Sequence, residues 1–215
     1  MTTTYSLEKT FDWNYEVTDK VAKVMRAFGL SVQRMKSNAV QHKCQIKLSP
    51  GDICYLTGAS GAGKSVLLRE LYNVIEDDNK IKLSDIDLPS EKTCIDSVDG
   101  RFLDVLRVLS KAGLGDVFCV LNSPANLSDG QKYRFRLAKA MASGAKFIFA
   151  DEFCSNLDRI TAAVISHNVR VFARRNGITF VLASSHDDLI ADLIPNVIVV
   201  KHLAGQTEVI YKNKR

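Results

Sequence analysis

Gly58-Ala59-Ser60-Gly61-Ala62-Gly63-Lys64-Ser65 is the stretch on which the reading of this chain turns. Its spacing is G-x-x-x-x-G-K-[ST]. Glycine lacks a Cβ, so such a loop wraps closely and turns backbone N–H groups toward phosphate oxygens. A helix that begins where the loop ends adds the positive partial charge of its N-terminus. Lys64 is placed to reach the outer phosphates of a nucleotide, and the Ser65 hydroxyl to bind Mg2+. The chemistry requires the order strand, loop, helix. Ile53–Thr57 is a short apolar run that reads as a buried strand, and Val66, Leu67, Leu71 and Ile75 recur on one side of a helix. The loop, with Val66 behind it, is therefore the candidate phosphate site.

Outward from this loop, strand-like and helix-like patterns alternate. Thr18 reads as a cap for a helix carrying Val21, Val24, Met25 and Phe28. Val40, Cys44, Ile46 and Leu48 alternate with Gln41, Lys43, Gln45 and Lys47, the pattern of a half-exposed strand, before a Pro50-Gly51-Asp52 turn. Further helices are expected at Phe102–Ala112, Lys132–Ala142 and Arg159–Arg175. Strands are expected at Lys146–Ala150 and Ile178–Ala183, and a hairpin at Asn196–Lys201 with Glu208–Tyr211. Such alternation predicts an α/β architecture with a mainly parallel sheet.

A second motif is Phe147-Ile148-Phe149-Ala150-Asp151-Glu152, an apolar strand running into two carboxylates. At the end of a strand beside a phosphate loop, Asp151 would hold the Mg2+ shell and Glu152 would polarise the attacking water. A third is Leu127-Ser128-Asp129-Gly130-Gln131 ahead of a helix, again an anion site at a helix start. By itself it would read as a Ser-Asp-Gly cap.

In sequence order, these three motifs resemble the phosphate loop, LSGGQ signature and acidic strand end of ABC ATPases. Arg134, Ala138 and Ala140 continue the match into the signature helix. Ser155-Asn156-Leu157-Asp158 resembles the D-loop of that family, and His186, after the strand 178–183, its switch histidine. The resemblance runs from about Val40 to His202. It implies a P-loop NTPase fold of ABC type, with a mainly parallel core sheet, a small antiparallel β part and a short helical lobe. It implies a single domain over 1–215, with an atypical N-terminal segment over 1–39 and the lobe at about 76–145. It also implies ATP and Mg2+ as ligands and an ATP-dependent homodimer. In that dimer, Ser128, Gly130 and Gln131 of one chain reach the ATP held by Gly58–Ser65 of the other, with Asp158 at the interface.

Three departures from the family pattern stand out. Asp129 occupies a position where glycine is commonest, and an acid there would disfavour a γ-phosphate unless it points outward. No glutamine occurs between Val66 and Asn126, where transporter ATPases carry the Q-loop; Asp85, Asp87, Glu91 and Asp96 are the available replacements. Leu127 follows Gly58 by only 69 residues, too short a span for a coiled coil, which argues against the head of a DNA-repair or chromosome-organising ATPase. The adenine-stacking aromatic is not identifiable; Phe28 is the nearest candidate, although it reads more simply as the end of a core helix.

Composition adds bounds. The 215 residues are 46% hydrophobic and 25% charged, suited to one globular domain, with no run long enough to cross a bilayer and no leader-like start. A cytoplasmic setting is expected. Five widely spaced cysteines argue for buried or half-buried thiols rather than disulfides or zinc. The net charge of +5 leaves nucleic acid open as a partner, and Lys132, Arg134, Arg136 and Lys139 with Tyr133 and Phe135 could form such a patch, though they lie on the signature helix. Ser60–Leu71, Leu127–Met141 and Ala150–Asp158 are similar to soluble, non-transporter ABC ATPases, some joined to an acetyltransferase-like domain in archaea. The expected function is therefore a soluble nucleotide-gated switch on an unknown macromolecular client. The alternative is the ATP-binding subunit of a membrane transporter.

Overall fold

The computed structural model describes residues 2–11, 13–37, 40–203 and 206–212. The helices are α1 (Asp19–Ala27), α2 (Val32–Ser37), α3 (Lys64–Val74), α4 (Phe102–Lys111), α5 (Val117–Val120), α6 (Asp129–Ala142), α7 (Arg159–Asn176) and α8 (Ile190–Leu193). The strands are β1 (Thr3–Phe11), β2 (Val40–Leu48), β3 (Ile53–Thr57), β4 (Lys80–Lys82), β5 (Phe147–Ala150), β6 (Thr179–Ala183), β7 (Val197–Lys201) and β8 (Thr207–Tyr211).

Six strands form the main sheet in the order β4-β5-β6-β3-β7-β8, parallel except for the closing β7-β8 hairpin. Strand β3 lies between β6 and β7, and all five of its residues are buried. That explains its unbroken apolar run: a strand covered on both faces has no polar side. Ile53 and Tyr55 enter one core with α4, α6 and α7, whereas Cys54 and Leu56 enter the other with α3 and β2. The parallel strands thus point their C-terminal ends at one edge, where ligands of open α/β sheets bind.

The second sheet is the antiparallel pair β1-β2, in register from Thr3↔Leu48 to Phe11↔Val40. Strand β1 falls within the 1–39 segment and β4 within the 76–145 lobe; neither stands out in the sequence. Residues 80–82 pair with β5 as the edge of the main sheet, so the start of the presumed lobe belongs to the core. In α1, Thr18 caps as expected, accepting the Val21 N–H at 3.4 Å. Phe28 departs from its sequence reading: its ring is 74% exposed and closes no core, because only Met25 of that helix face is buried. Among the described residues no helix is long and apolar enough to cross a membrane. Four cysteines are buried, Cys119 is half-buried, and all five are free thiols.

Candidate functional site

The phosphate loop leaves β3 at the centre of the sheet. Gly58 adopts φ +136°, and a Cβ there would stand 2.1 Å from the Lys201 carbonyl oxygen on β7. No other residue fits so close a crossing. Gly63, at φ +96°, takes the N-cap position of α3 without any side-chain cap. The first N–H groups of α3 are thereby left for an external acceptor, which is what an anion needs at a helix start. Lys64 Nζ donates to the Gly58 and Ala59 carbonyls at 2.8 and 3.0 Å, so its ammonium is held over the loop.

One cavity of about 360 Å3 is lined by Ser60, Gly61, Gly63, Lys64, Ser65 and Val66 together with Asp151, Glu152, Ser155 and His186. It brings together the phosphate loop, the acidic end of β5 and the segment after β6, three strand ends far apart in sequence. Gly58, Ala59 and Ala62 belong to the same loop but do not line the cavity. Glu152 and Cys154 are non-glycine residues with φ +51° and +58°. Left-handed backbone at such residues costs on the order of 1–3 kcal/mol each and persists only where neighbours enforce it. Here the Phe153 N–H donates to the Ala183 carbonyl at 2.7 Å, the Cys154 N–H to the Tyr133 hydroxyl at 3.2 Å, and the Glu152 N–H to Asp151 Oδ1 at 3.0 Å. The turn holds the Glu152 side chain, which is exposed, on the cavity wall.

His186 is exposed and lines the same cavity. Its backbone is fixed from below: its carbonyl accepts the Tyr55 hydroxyl at 2.7 Å, and the next residue, Asp187, accepts the Thr57 hydroxyl. Burial pushes the Tyr55 phenol up to about 12, so this donor keeps its proton throughout the neutral range. Asp188 pairs with Arg159 at the start of α7.

The oxygens of Ser65 and Asp151 fit a Mg2+ ion, which takes one or two protein oxygens and completes its shell with phosphates and water. No group of three or more His, Cys, Asp or Glu side chains forms a metal cage among the described residues, and this chemistry needs none. Ser65 and Asp151 also line a neighbouring cavity of about 340 Å3, whose other walls include Arg69, Ser84, Asp85, Tyr133 and Arg136. Of the four acids considered for the missing glutamine, only Asp85 reaches it. Asp87 lines a separate cavity with Asp99 and Lys139, Asp96 accepts the Thr93 hydroxyl, and Glu91 accepts the Ser90 hydroxyl.

Ser128 and Gly130 lie outside the phosphate cavity. Ser128 caps α6 in a capping box with Gln131. Asp129 is exposed in the first helical turn, where its charge suits the helix dipole. A Cβ on Gly130 would meet the Leu157 side chain at 3.3 Å and the Asn156 carbonyl at 3.4 Å, so the signature turn packs on the segment 155–158 of its own chain. Asp158 caps α7 by accepting the Thr161 N–H at 2.9 Å, and hydrogen bonds from the Thr161 side chain and then its backbone hold the carboxyl below the usual range. Arg134 and Arg136 direct their guanidinium groups at the Gly130, Gly113 and Ile86 carbonyls of their own chain.

No protein-family model matches the chain. The chain is 29% identical over 177 residues to the aliphatic sulfonates import ATP-binding protein SsuB of Albidiferax ferrireducens, covering 72% of this chain and 63% of that protein. It is 28% identical over 218 positions to the methionine import ATP-binding protein MetN of Mannheimia succiniciproducens, covering 84% and 61%. The chain thus spans about three fifths of the length of these curated relatives. Among solved structures, the ATP-binding cassette MJ0796, a dimer in a post-hydrolysis state with ADP and Pi, superposes with a TM-score of 0.67 at 17% identity, over 97% of this chain and 98% of that one. The fold is that of an ABC-type ATPase nucleotide-binding domain, as the motifs implied. By name the relatives are importer subunits rather than the soluble, acetyltransferase-joined group.

Proposed function

We propose that this chain, built on the ABC-type nucleotide-binding fold, binds ATP with Mg2+ and hydrolyses it in a pair of chains closed across two nucleotides. The observation that carries this reading is the division of the motifs. Lys64, Ser65, Asp151, Glu152 and His186 share one cavity, while Ser128 and Gly130 stand outside it. An anion site with no nucleotide of its own is completed by a second copy packed head to tail about a two-fold axis.

In this reading the α3 N-terminus and Lys64 bind the β- and γ-phosphates. Ser65 and Asp151 hold Mg2+, which when bound neutralises charge building up on the phosphates. Glu152 takes a proton from the attacking water, and His186 orients the terminal phosphate. Asp85 supports the water shell of the metal in place of the absent glutamine. Trp13 and Tyr15, packed edge to face with centroids 6.1 Å apart, follow β1. Lys9 pairs with Glu70 (3.6 Å), while Thr3–Tyr5 share a cavity wall with Val74–Glu76, so β1 runs along α3 with its C-terminal end toward the phosphate end of that helix, and these rings are the adenine candidates in place of Phe28.

The importer names of the relatives favour an ATP-binding subunit working with a membrane-embedded partner at the cytoplasmic face. A soluble switch on another macromolecule is the second reading, favoured by the lack of any glutamine between Val66 and Asn126. Phosphate release from ATP tests the enzymatic claim. Replacing a general base costs about 100- to 10,000-fold, so Glu152→Gln should lose turnover on that scale while still binding ATP; undiminished turnover removes Glu152 from the role. Copurification of the ATP-loaded Glu152→Gln chain from detergent extracts separates the two partner readings: a membrane-spanning protein supports the importer subunit, and an exclusively soluble partner supports the switch.

A further inference from the structure

The amide of Gln131 is held from both ends. Its Oε1 accepts the Ser128 backbone N–H at 2.9 Å, and the Ser128 hydroxyl accepts the Gln131 N–H at 3.4 Å, closing the capping box. Its Nε2 donates to the Cys119 sulfur at 2.9 Å. Cys119 belongs to α5, which is fastened to a different stretch of the lobe through Cys94 N–H to the Asn122 carbonyl (2.8 Å) and Ile95 N–H to the Val120 carbonyl (3.2 Å).

A primary amide is nearly symmetric in shape but not in chemistry: one end accepts and the other donates. The box closes only with the oxygen toward Ser128, since the flipped amide sets its hydrogens against the Ser128 N–H. An acceptor at residue 119 gives the NH2 group a partner in the working orientation. Hydrogen bonds in a chain also polarise one another, so this outer bond strengthens the inner one.

We propose that Cys119 is a positioning residue of the signature turn: through Gln131, whose amide oxygen engages the Ser128 N–H, it holds the Ser128 hydroxyl in the geometry that receives the terminal phosphate bound on a second chain. This rests on the two-chain reading above. It predicts an effect on closure and none on the half-site that each chain owns, because Cys119 lies outside the cavity around Lys64.

The test uses the full chain carrying Glu152→Gln. The ATP concentration at half-dimerisation is followed by light scattering, and the affinity for a fluorescent ADP reports the phosphate loop alone. One hydrogen bond is worth about fivefold. Cys119→Ala should raise the half-dimerisation concentration about fivefold with unchanged ADP affinity. Cys119→Ser, whose hydroxyl accepts, should stay within about twofold of the parent. A second arm needs no mutation at 119: Cys119 is half-exposed while the other four thiols are buried, so brief iodoacetamide treatment of the folded chain reaches it first. Alkylation should shift the midpoint in the same direction and leave Cys119→Ser unaffected. An unchanged midpoint for Cys119→Ala, or equal impairment of Cys119→Ser, overturns the proposal. Failure of the parent to dimerise at any ATP concentration overturns the two-chain reading, and this proposal with it.

Discussion

Two turns in this chain open into helices that can receive phosphate, and they are held in different ways. The loop 58–65 is held by backbone. It springs from one of the two central strands, crosses the Lys201 carbonyl where only glycine fits, and folds Lys64 back on its own carbonyls. The turn 127–131 is held by side chains: Ser128 and Gln131 cap one another, Cys119 meets the far end of the amide, and Arg134 bridges the Gly130 and Gly113 carbonyls at 3.1 and 2.8 Å. A backbone-held turn is stiff and owned by the sheet. A side-chain-held turn moves with the lobe that supplies its partners, which suits the proposed meeting with a nucleotide on another chain.

The contrast is sharpest at Gly58. Gly58→Ala forces a Cβ into the Lys201 carbonyl, and a strained, overpacked site of this kind costs about 3 kcal/mol. The melting temperature should fall by roughly 6–12 °C. A fall under about 2 °C would mean that the loop yields and is not held as described. Next, Lys64→Ala removes a charged donor from the phosphate site. ATP affinity, measured by calorimetry, should fall about 10- to 100-fold, with little change in melting temperature. Unaltered affinity would contradict the assignment of the loop.

On the other side of the comparison, Ser128→Ala removes the α6 cap and should cost about 1 kcal/mol in a denaturant melt, together with the loss of ATP-driven pairing. Normal pairing would show that the turn does not act through its serine. The smallest effect concerns Asp158. Its folded carboxyl titrates below the unfolded one because it accepts backbone and side-chain hydrogen bonds from Thr161, so its charge contributes stability above the ordinary carboxylate range and loses it as pH falls through the lowered value. Asp158→Asn keeps a cap but not the charge. The difference in melting temperature from the parent should therefore be larger near pH 6 than near pH 3; a difference independent of pH would leave the charge without a role.

The same contrast governs what could be read from sequence. The phosphate loop, the β5 carboxylates and the core strands are written in local patterns, because a buried central strand must be apolar throughout. The strands β1 and β4 are edge strands or remote partners. Thr3–Phe11 gains its structure by pairing with Val40–Leu48, and Lys80–Lys82 by pairing with β5, so neither needs a strong local signal. The alternation of Tyr5 and Leu7 was the one available clue, with Leu7 buried and Tyr5 partly so. Phe28 shows the opposite failure, a periodic apolar residue that the fold leaves uncovered. The placing of Asp85 beside Ser65 and Asp151, and the meeting of Cys119 with Gln131, join residues far apart in the chain, which spacing does not encode.

The central claim is that each ATP is gripped by two chains, and the mass of the Glu152→Gln chain in solution tests it most directly. With Mg2+ and ATP, light scattering should give twice the mass of the single chain, returning to the single mass with ADP. A single-chain mass at saturating ATP, with the nucleotide demonstrably bound, would contradict it.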